Sequence, residues 1–227
     1  MKGLNKLLVA CSIILLLLPL FGCRPTQTQA HIDPTQEKMA LLVIDVENDV
    51  LDKEGKGHTA SIWKYAEEHN TIENIAKAIE LAEKKGIPII RVHIEYAPGH
   101  PEIPDQGFWK LAKGVGVFEE GTWGADYVPG LEPKPGHLIV EKKRSSAFYN
   151  TELDRLLHEL GINTLVLCGV SAHGCILFTF AGAIDRDYNV YVLRDCVAGP
   201  PELTDWLIWN EYTQFARIPS AEELLGK

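Results

Sequence analysis

The sequence predicts an α/β fold of three layers, with helices covering both faces of a mostly parallel central sheet. Two observations carry that expectation. Short apolar runs alternate along the chain with segments of helical period. The runs are apolar throughout rather than every second residue, as strands covered on both sides must be. A length of 227 residues with 46% hydrophobic content suits a single core, and excludes a disordered, collagen-like or polytopic membrane chain.

The first run, Met39–Ile44, ends at Asp45. Asn70 with Glu73 has the form of a capping box; Ile72, Ile75, Ile79 and Ala82 follow on one face, and Gly86 and Pro88 stop the helix. Ile87–Val92 is the second strand, His137–Val140 the third, Thr164–Cys168 the fourth and Val190–Leu193 the fifth. Helices are expected over Thr151–Leu160, where four leucines form one stripe, over Cys175–Ile184, and over about Glu202–Phe215. Sheets of this kind bind ligands beyond the carboxyl ends of their strands. Asp45 after the first strand, Lys142 after the third and Cys175 after the fourth are therefore expected at one edge.

Residues 97–136 hold 6 of the 13 prolines and 8 of the 19 glycines and show no clear period. Such a stretch is long for a plain connection. It is expected to form a pocket wall or lid with Phe108, Trp109, Phe118 and Trp123.

The amino-terminal segment reads differently. Residues 1–23 begin with Lys2 and Lys6, continue in an apolar run to Phe21, and end Leu20-Phe21-Gly22-Cys23. That is the form of a signal peptide closing on a bacterial lipobox, with Cys23 the lipidated residue and a lipid anchor to the membrane. An uncleaved anchor and ordinary secretion are the alternatives. Residues 24–38 are polar, with two prolines, as a tether would be, and the domain proper spans 39–227. Loss of Lys2 and Lys6 takes the net charge from −9 to −11, an acidic body that argues against nucleic acid as a partner. The body then keeps Cys168, Cys175 and Cys196, an odd number that leaves at least one thiol free. Cys175 is expected to stay reduced, and a Cys168–Cys196 bridge is the alternative pairing.

A cysteine nucleophile needs an activated thiol, an oxyanion site and a proton carrier. Cys175 closes Gly169-Val170-Ser171-Ala172-His173-Gly174-Cys175 between a strand and a helix, where helix amides favour a thiolate and can hold an oxyanion. Lys142 would add positive charge, and Asp45 would take and return the proton.

These residues resemble those of the isochorismatase-like cysteine hydrolases, a superfamily that includes nicotinamidases and N-carbamoylsarcosine amidohydrolase. Leu41–Asp49 is similar to the opening motif, Glu141–Phe148 with Thr151 to the lysine motif, and Gly169–Cys175 to the nucleophile motif. The resemblance implies a Rossmann-like fold over residues 39–225, a small-molecule amide substrate, and a homo-oligomer. It implies an Asp45, Lys142 and Cys175 triad, with Lys143 the near miss, an oxyanion hole from the N–H groups of Ser171 and Cys175, and a cis Val170–Ser171 peptide. Members acting on isochorismate lack the cysteine, so Cys175 points to amide chemistry. Glu47 replaces a common glutamine, Val50 a phenylalanine, and His173 and Gly174 the frequent asparagine and valine or isoleucine. His93, Trp123 and His173 are expected to contact substrate. His93, Glu95 and His100 occupy the region that holds metal in nicotinamidases, but the aspartate–x–histidine core is missing, so no metal or other cofactor is expected. A metal-assisted nicotinamidase and a catalytically idle binding protein are the alternatives.

Overall fold

A computed structural model describes residues 36–57 and 60–226. Met39–Ile44 (β1), Ile89–Ile94 (β2), Leu138–Lys142 (β3), Thr164–Val170 (β4) and Asn189–Ala198 (β5) form one sheet. Every pairing is parallel, and the spatial order is β3-β2-β1-β4-β5. Strand order reverses between β1 and β4, which places the ligand crevice of a doubly wound sheet at the carboxyl ends of those two strands.

The apolar runs are strands because both of their faces are covered. Leu42 and Ile44 join Leu165 and Leu167 in one core. There they meet Leu153 and Leu157 of Leu153–Glu159 (α5), Phe180 and Ala183 of Leu177–Ile184 (α6), and the carboxyl-terminal Leu207, Ile208 and Tyr212. Leu41 and Val43, pointing the other way, join Val166 and Cys168 in a second core. That core takes Ile62 and Tyr65 from Ala60–Glu68 (α2), Ile75 and Ile79 from Thr71–Lys84 (α3), and Ala221 and Leu225 from Ala221–Leu225 (α8). One strand thus supplies both layers through its period of two.

Some boundaries differ from the expectation. The second strand starts two residues later than Ile87, and β5 runs on to Ala198. Asn70 does not cap α3: it sits at φ 51°, left-handed, with no side-chain bond to the helix. A left-handed backbone is a conformation asparagine tolerates. The capping box that does form is Ser220 with Glu223 at α8. The expected last helix is Pro201–Trp206 (α7), continued by a wide turn Leu207–Glu211 and a tight one Tyr212–Gln214.

Residues 97–136 contain Gly107–Val115 (α4) and a short turn Trp123–Ala125, not a plain loop. Asn48–Leu51 (α1) ties them down. Asn48 Nδ2 donates to the Trp123 carbonyl (2.8 Å), and Asp49 Oδ2 accepts the Phe118 N–H (2.6 Å). Ile94, Tyr96, Ile103, Ala112, Val117 and Phe118 then pack as a small third core over the sheet edge.

The expected signal segment and Cys23 lie outside the described residues. Glu37 and Lys38 are already bound to the body, through the Tyr191 hydroxyl and the Asn163 side chain respectively. No helix among the described residues is long and apolar enough to cross a membrane.

At Gly169, β4 lies too close to β1 to admit a side chain. The glycine's φ is +114°, and a Cβ there would collide with the Ile44 carbonyl. Gly169→Ala is expected to destabilise the protein by about 2–4 kcal/mol, through strain at a left-handed position plus displacement of β1. Urea unfolding checks this, with the midpoint falling at unchanged slope.

Candidate active site

The strand ends bring Asp45, Lys142 and Cys175 together, as expected. Asp45 leaves β1 at φ 50° and is 3% exposed. Lys142 is the last residue of β3 and is fully enclosed. Its ammonium makes three contacts: Asp45 Oδ2 at 2.8 Å, Cys175 Sγ at 3.3 Å and the Arg144 carbonyl at 3.0 Å. Lys143 turns elsewhere and donates to the Glu95 carbonyl. Asp45 Oδ1 is buried and hydrogen-bonds nothing among the described residues.

Cys175 does not open a regular helix. It lies in a wide turn, Ala172–Ile176, interrupted at Gly174 (φ −119°, ψ −107°), before α6 begins. The Ser171 carbonyl accepts the N–H groups of Gly174 (3.0 Å) and Ile176 (3.1 Å), folding the turn back on the strand end. A Cβ at Gly174 would stand 2.6 Å from Ser171 Oγ, so a larger residue there requires the serine hydroxyl to turn away. The Val170–Ser171 peptide is cis.

The electrostatics correct one expectation. Burial, and then the Asp45 charge, push the Cys175 thiol well above the ordinary thiol range, against the pull of Lys142. A preformed thiolate is therefore not the resting state: a second buried anion beside Asp45 outweighs what one ammonium and the turn amides offer. Burial opposes the Lys142 ammonium, but Asp45 and Cys175 outweigh it and raise its pKa. Burial raises the Asp45 carboxyl to about 6, Lys142 opposing and Glu47 adding to the rise. At rest the site holds a neutral thiol, a carboxylate and an ammonium. Cys168 is pushed up to about 12 by burial, and all three described cysteines are free, so no Cys168–Cys196 bridge forms.

A cavity of about 360 Å³ opens in front of Cys175. Ser171 and His173 line it, with Tyr96, Phe108, Trp109 and Phe118 from the third core and its surroundings. The two other expected substrate contacts are not there. His93 donates from Nδ1 to Glu47 Oε1 (2.8 Å) and packs on Tyr127, because the glutamate that replaces glutamine at position 47 is fully buried and needs a partner. Burial opposes a charged His93, yet Glu47, with Glu95 and Asp45, raises its pKa overall. Trp123 is held by its backbone to Asn48, outside the cavity wall, and the residue is 49% exposed. Trp109 stands in the wall instead. The sequence reading missed Tyr96 and Val50 as wall residues. Tyr96 follows β2 by two positions at the ligand-binding edge, a signal that was available.

The residues near β2 do not fit a metal. His100 gives Nε2 to the Val117 carbonyl (2.7 Å), His93 gives Nδ1 to Glu47, and the remaining ring nitrogens approach separate carboxylates loosely, His93 to Glu95 at 4.0 Å and His100 to Glu119 at 3.8 Å. No cluster of three ligand side chains occurs among the described residues.

The site thus gathers a buried carboxylate, ammonium and thiol at the switch point of a doubly wound sheet. The chain belongs to the isochorismatase family: the isochorismatase domain model matches residues 39–223. It is 30% identical over 210 residues to a ureidoacrylate amidohydrolase, RutB, of Methylorubrum extorquens, covering 86% of this chain and 83% of that one. It is 32% identical over 127 residues to the maleamate amidohydrolase of Pseudomonas putida, covering 56% of this chain and 59% of that one. Among solved structures, N-carbamoylsarcosine amidase from Thermoplasma acidophilum superposes with a TM-score of 0.65 at 28% identity, over 82% of this chain and 97% of that one. A cysteine hydrolase from Pseudomonas syringae shares the fold with a TM-score of 0.72 at 18% identity, over 86% and 93% of the two chains.

Asp45 is expected to restrain the thiol. Asp45→Asn should accelerate alkylation of Cys175 by iodoacetamide at pH 8 at least about tenfold, since one unit of pKa is a factor of ten in thiolate. Peptide mass mapping over time measures it; an unchanged rate would mean that Asp45 does not set the thiol's protonation.

Proposed function

We propose that the chain is a cysteine-dependent hydrolase of the C–N bond of a small carboxamide or carbamoyl compound. The observation that carries this reading is the Lys142 ammonium bridging Asp45 Oδ2 and Cys175 Sγ at the cavity. The names of the amidohydrolase relatives support it.

The chemistry follows from the protonation states. Asp45 takes the thiol proton as sulfur attacks the carbonyl carbon, so charge moves to the carbonyl oxygen without a free thiolate ever accumulating. Lys142 stays ammonium throughout and balances whichever of Asp45 and Cys175 is negative. The Ser171 and Cys175 N–H groups, at the turn, serve the oxyanion. Collapse breaks the C–N bond, and Asp45 returns its proton to the departing ammonia or amine. Water, deprotonated by Asp45, then attacks the thioester; sulfur leaves and recovers the proton. The unpartnered Asp45 Oδ1 is the lone pair these transfers require.

Ammonia release from a small-amide panel tests this reading. Cys175→Ala should lower turnover more than about a thousandfold with the fold intact. Lys142→Ala should do comparable damage and also cost about 3–5 kcal/mol of stability, because it leaves Asp45 buried without its partner; Lys143→Ala should do far less.

The pH dependence has a definite sign. Asp45 must be a carboxylate to act, and its pKa is raised to about 6, so kcat/KM should be sustained above pH 6 and fall about tenfold per unit below it. An acid limb near pH 4 would contradict the raised pKa of Asp45.

The segment before the domain supports a further proposal, that the protein is exported and held at the membrane as a lipoprotein through Cys23. Cys23→Ser should release it from the membrane fraction or leave an unprocessed precursor on gels. Unchanged partitioning with unchanged mobility would instead indicate an uncleaved anchor.

A further inference from the structure

The cavity wall carries more information than the triad. No lysine or arginine is among its described lining residues, and Asp45 is the single acid there. Each cation nearby is already committed. Lys142 serves Asp45, Lys56 gives its ammonium to the Gly116 carbonyl (3.2 Å), and Lys143 serves the Glu95 carbonyl. Arg144 donates to the carbonyls of Lys143 and Glu102 while lying 5.5 Å from the Trp109 ring centre. A carboxylate brought into this space would face Asp45 with no lysine or arginine among the described lining residues to pair with it, a costly placement.

Two neutral polar atoms do await a partner. Tyr96 is 1% exposed, it lines the cavity, and its Oη hydrogen-bonds nothing among the described residues. Buried tyrosine hydroxyls ordinarily find a partner. His173 also lines the cavity, its Nδ1 is likewise unpartnered, and burial lowers its pKa, keeping the ring neutral. Around them stand Ile62, Ile94, Trp109 and Phe118, with Phe108 (63% exposed) and Phe178 (56% exposed) where the wall meets solvent.

We propose that this site takes an uncharged carboxamide with an apolar acyl group, aliphatic or aryl-alkyl, and that Tyr96 Oη and His173 Nδ1 hydrogen-bond its carboxamide. The proposal rests on the amidohydrolase reading and narrows it. It separates this chain from relatives named for maleamate and ureidoacrylate, both of which are carboxylates. The aromatic wall takes the acyl chain, and the two neutral polar atoms set the amide's orientation toward Cys175.

Binding to the full-length Cys175→Ala protein, measured by calorimetry, tests the pocket apart from the chemistry. Hexanamide and phenylacetamide should bind at least tenfold more tightly than maleamate. From propanamide to hexanamide, affinity should rise about fourfold per methylene, the equivalent of about 0.8 kcal/mol each. Adding Tyr96→Phe should weaken both apolar amides about tenfold without lowering the melting temperature, because removing an unpartnered buried hydroxyl costs the fold nothing. Maleamate binding as tightly as the apolar amides, absence of a chain-length trend, or no effect of Tyr96→Phe in a fully folded variant would each overturn the proposal. Wild-type protein that releases no ammonia from amides its variant binds would instead overturn the hydrolase reading and leave the pocket assignment standing.

Discussion

Lys142 and Asp45 are buried as a pair, 2.8 Å apart, where the sheet ends, and the surrounding site is shaped by what that pair requires. Neither charge could stand alone in such a place. The strand order supplies the meeting point: β1 is central and carries Asp45, β3 reaches over from the edge with Lys142, and β4 delivers the turn that holds Cys175. Register makes the convergence specific. Ile94 pairs with Lys142 and Ile44 with Gly169, so the strands end within a residue or two of one another. Gly169 has no side chain because β1 passes too close for one.

The pair also decides how the thiol behaves. An ammonium shared between a carboxylate and a sulfur balances one negative charge, not two, so sulfur keeps its proton until a substrate carbonyl can receive the charge. Keeping the nucleophile neutral at rest has a second consequence. Thiol–disulfide exchange runs through the thiolate, so a raised pKa also slows exchange at Cys175. A buried Glu47 beside Asp45 adds negative charge to the site, and His93 offsets it with a hydrogen bond of 2.8 Å. The glutamate and the histidine are thus one unit, and His93 is committed to Glu47 rather than to a ligand.

Much of this was legible in the sequence because it follows from periodicity and from chain order. The five strands and the three residues that follow them could be placed at one edge without any knowledge of contacts. What was not legible lay in residues 97–136, where proline and glycine break the periods on which such reasoning depends. α4 was missed although Phe108, Leu111, Ala112 and Val115 fall at helical spacing, because it has only nine residues and only Ala112 of them is buried. Trp109 and Trp123 look equivalent as isolated aromatics; only the Asn48 bond to the Trp123 backbone and the packing of α4 distinguish wall from surface. Asn70 failed as a cap for a related reason, since a capping pattern says nothing of the backbone angle at which the asparagine sits. The partner of His93 was missed because a buried glutamate at position 47 was read as a departure from a motif, not as a charge needing compensation.

Covalent passage of the acyl group through sulfur is the central claim, and acid-quenched intact mass spectrometry during steady-state turnover of a small amide reads it directly. A wild-type species heavier by the acyl group, mapped to the peptide holding Cys175 and lost on hydroxylamine treatment, is the expected result. Full turnover with no adduct on Cys175 at any quench time, together with ammonia release that survives Cys175→Ala, would contradict it.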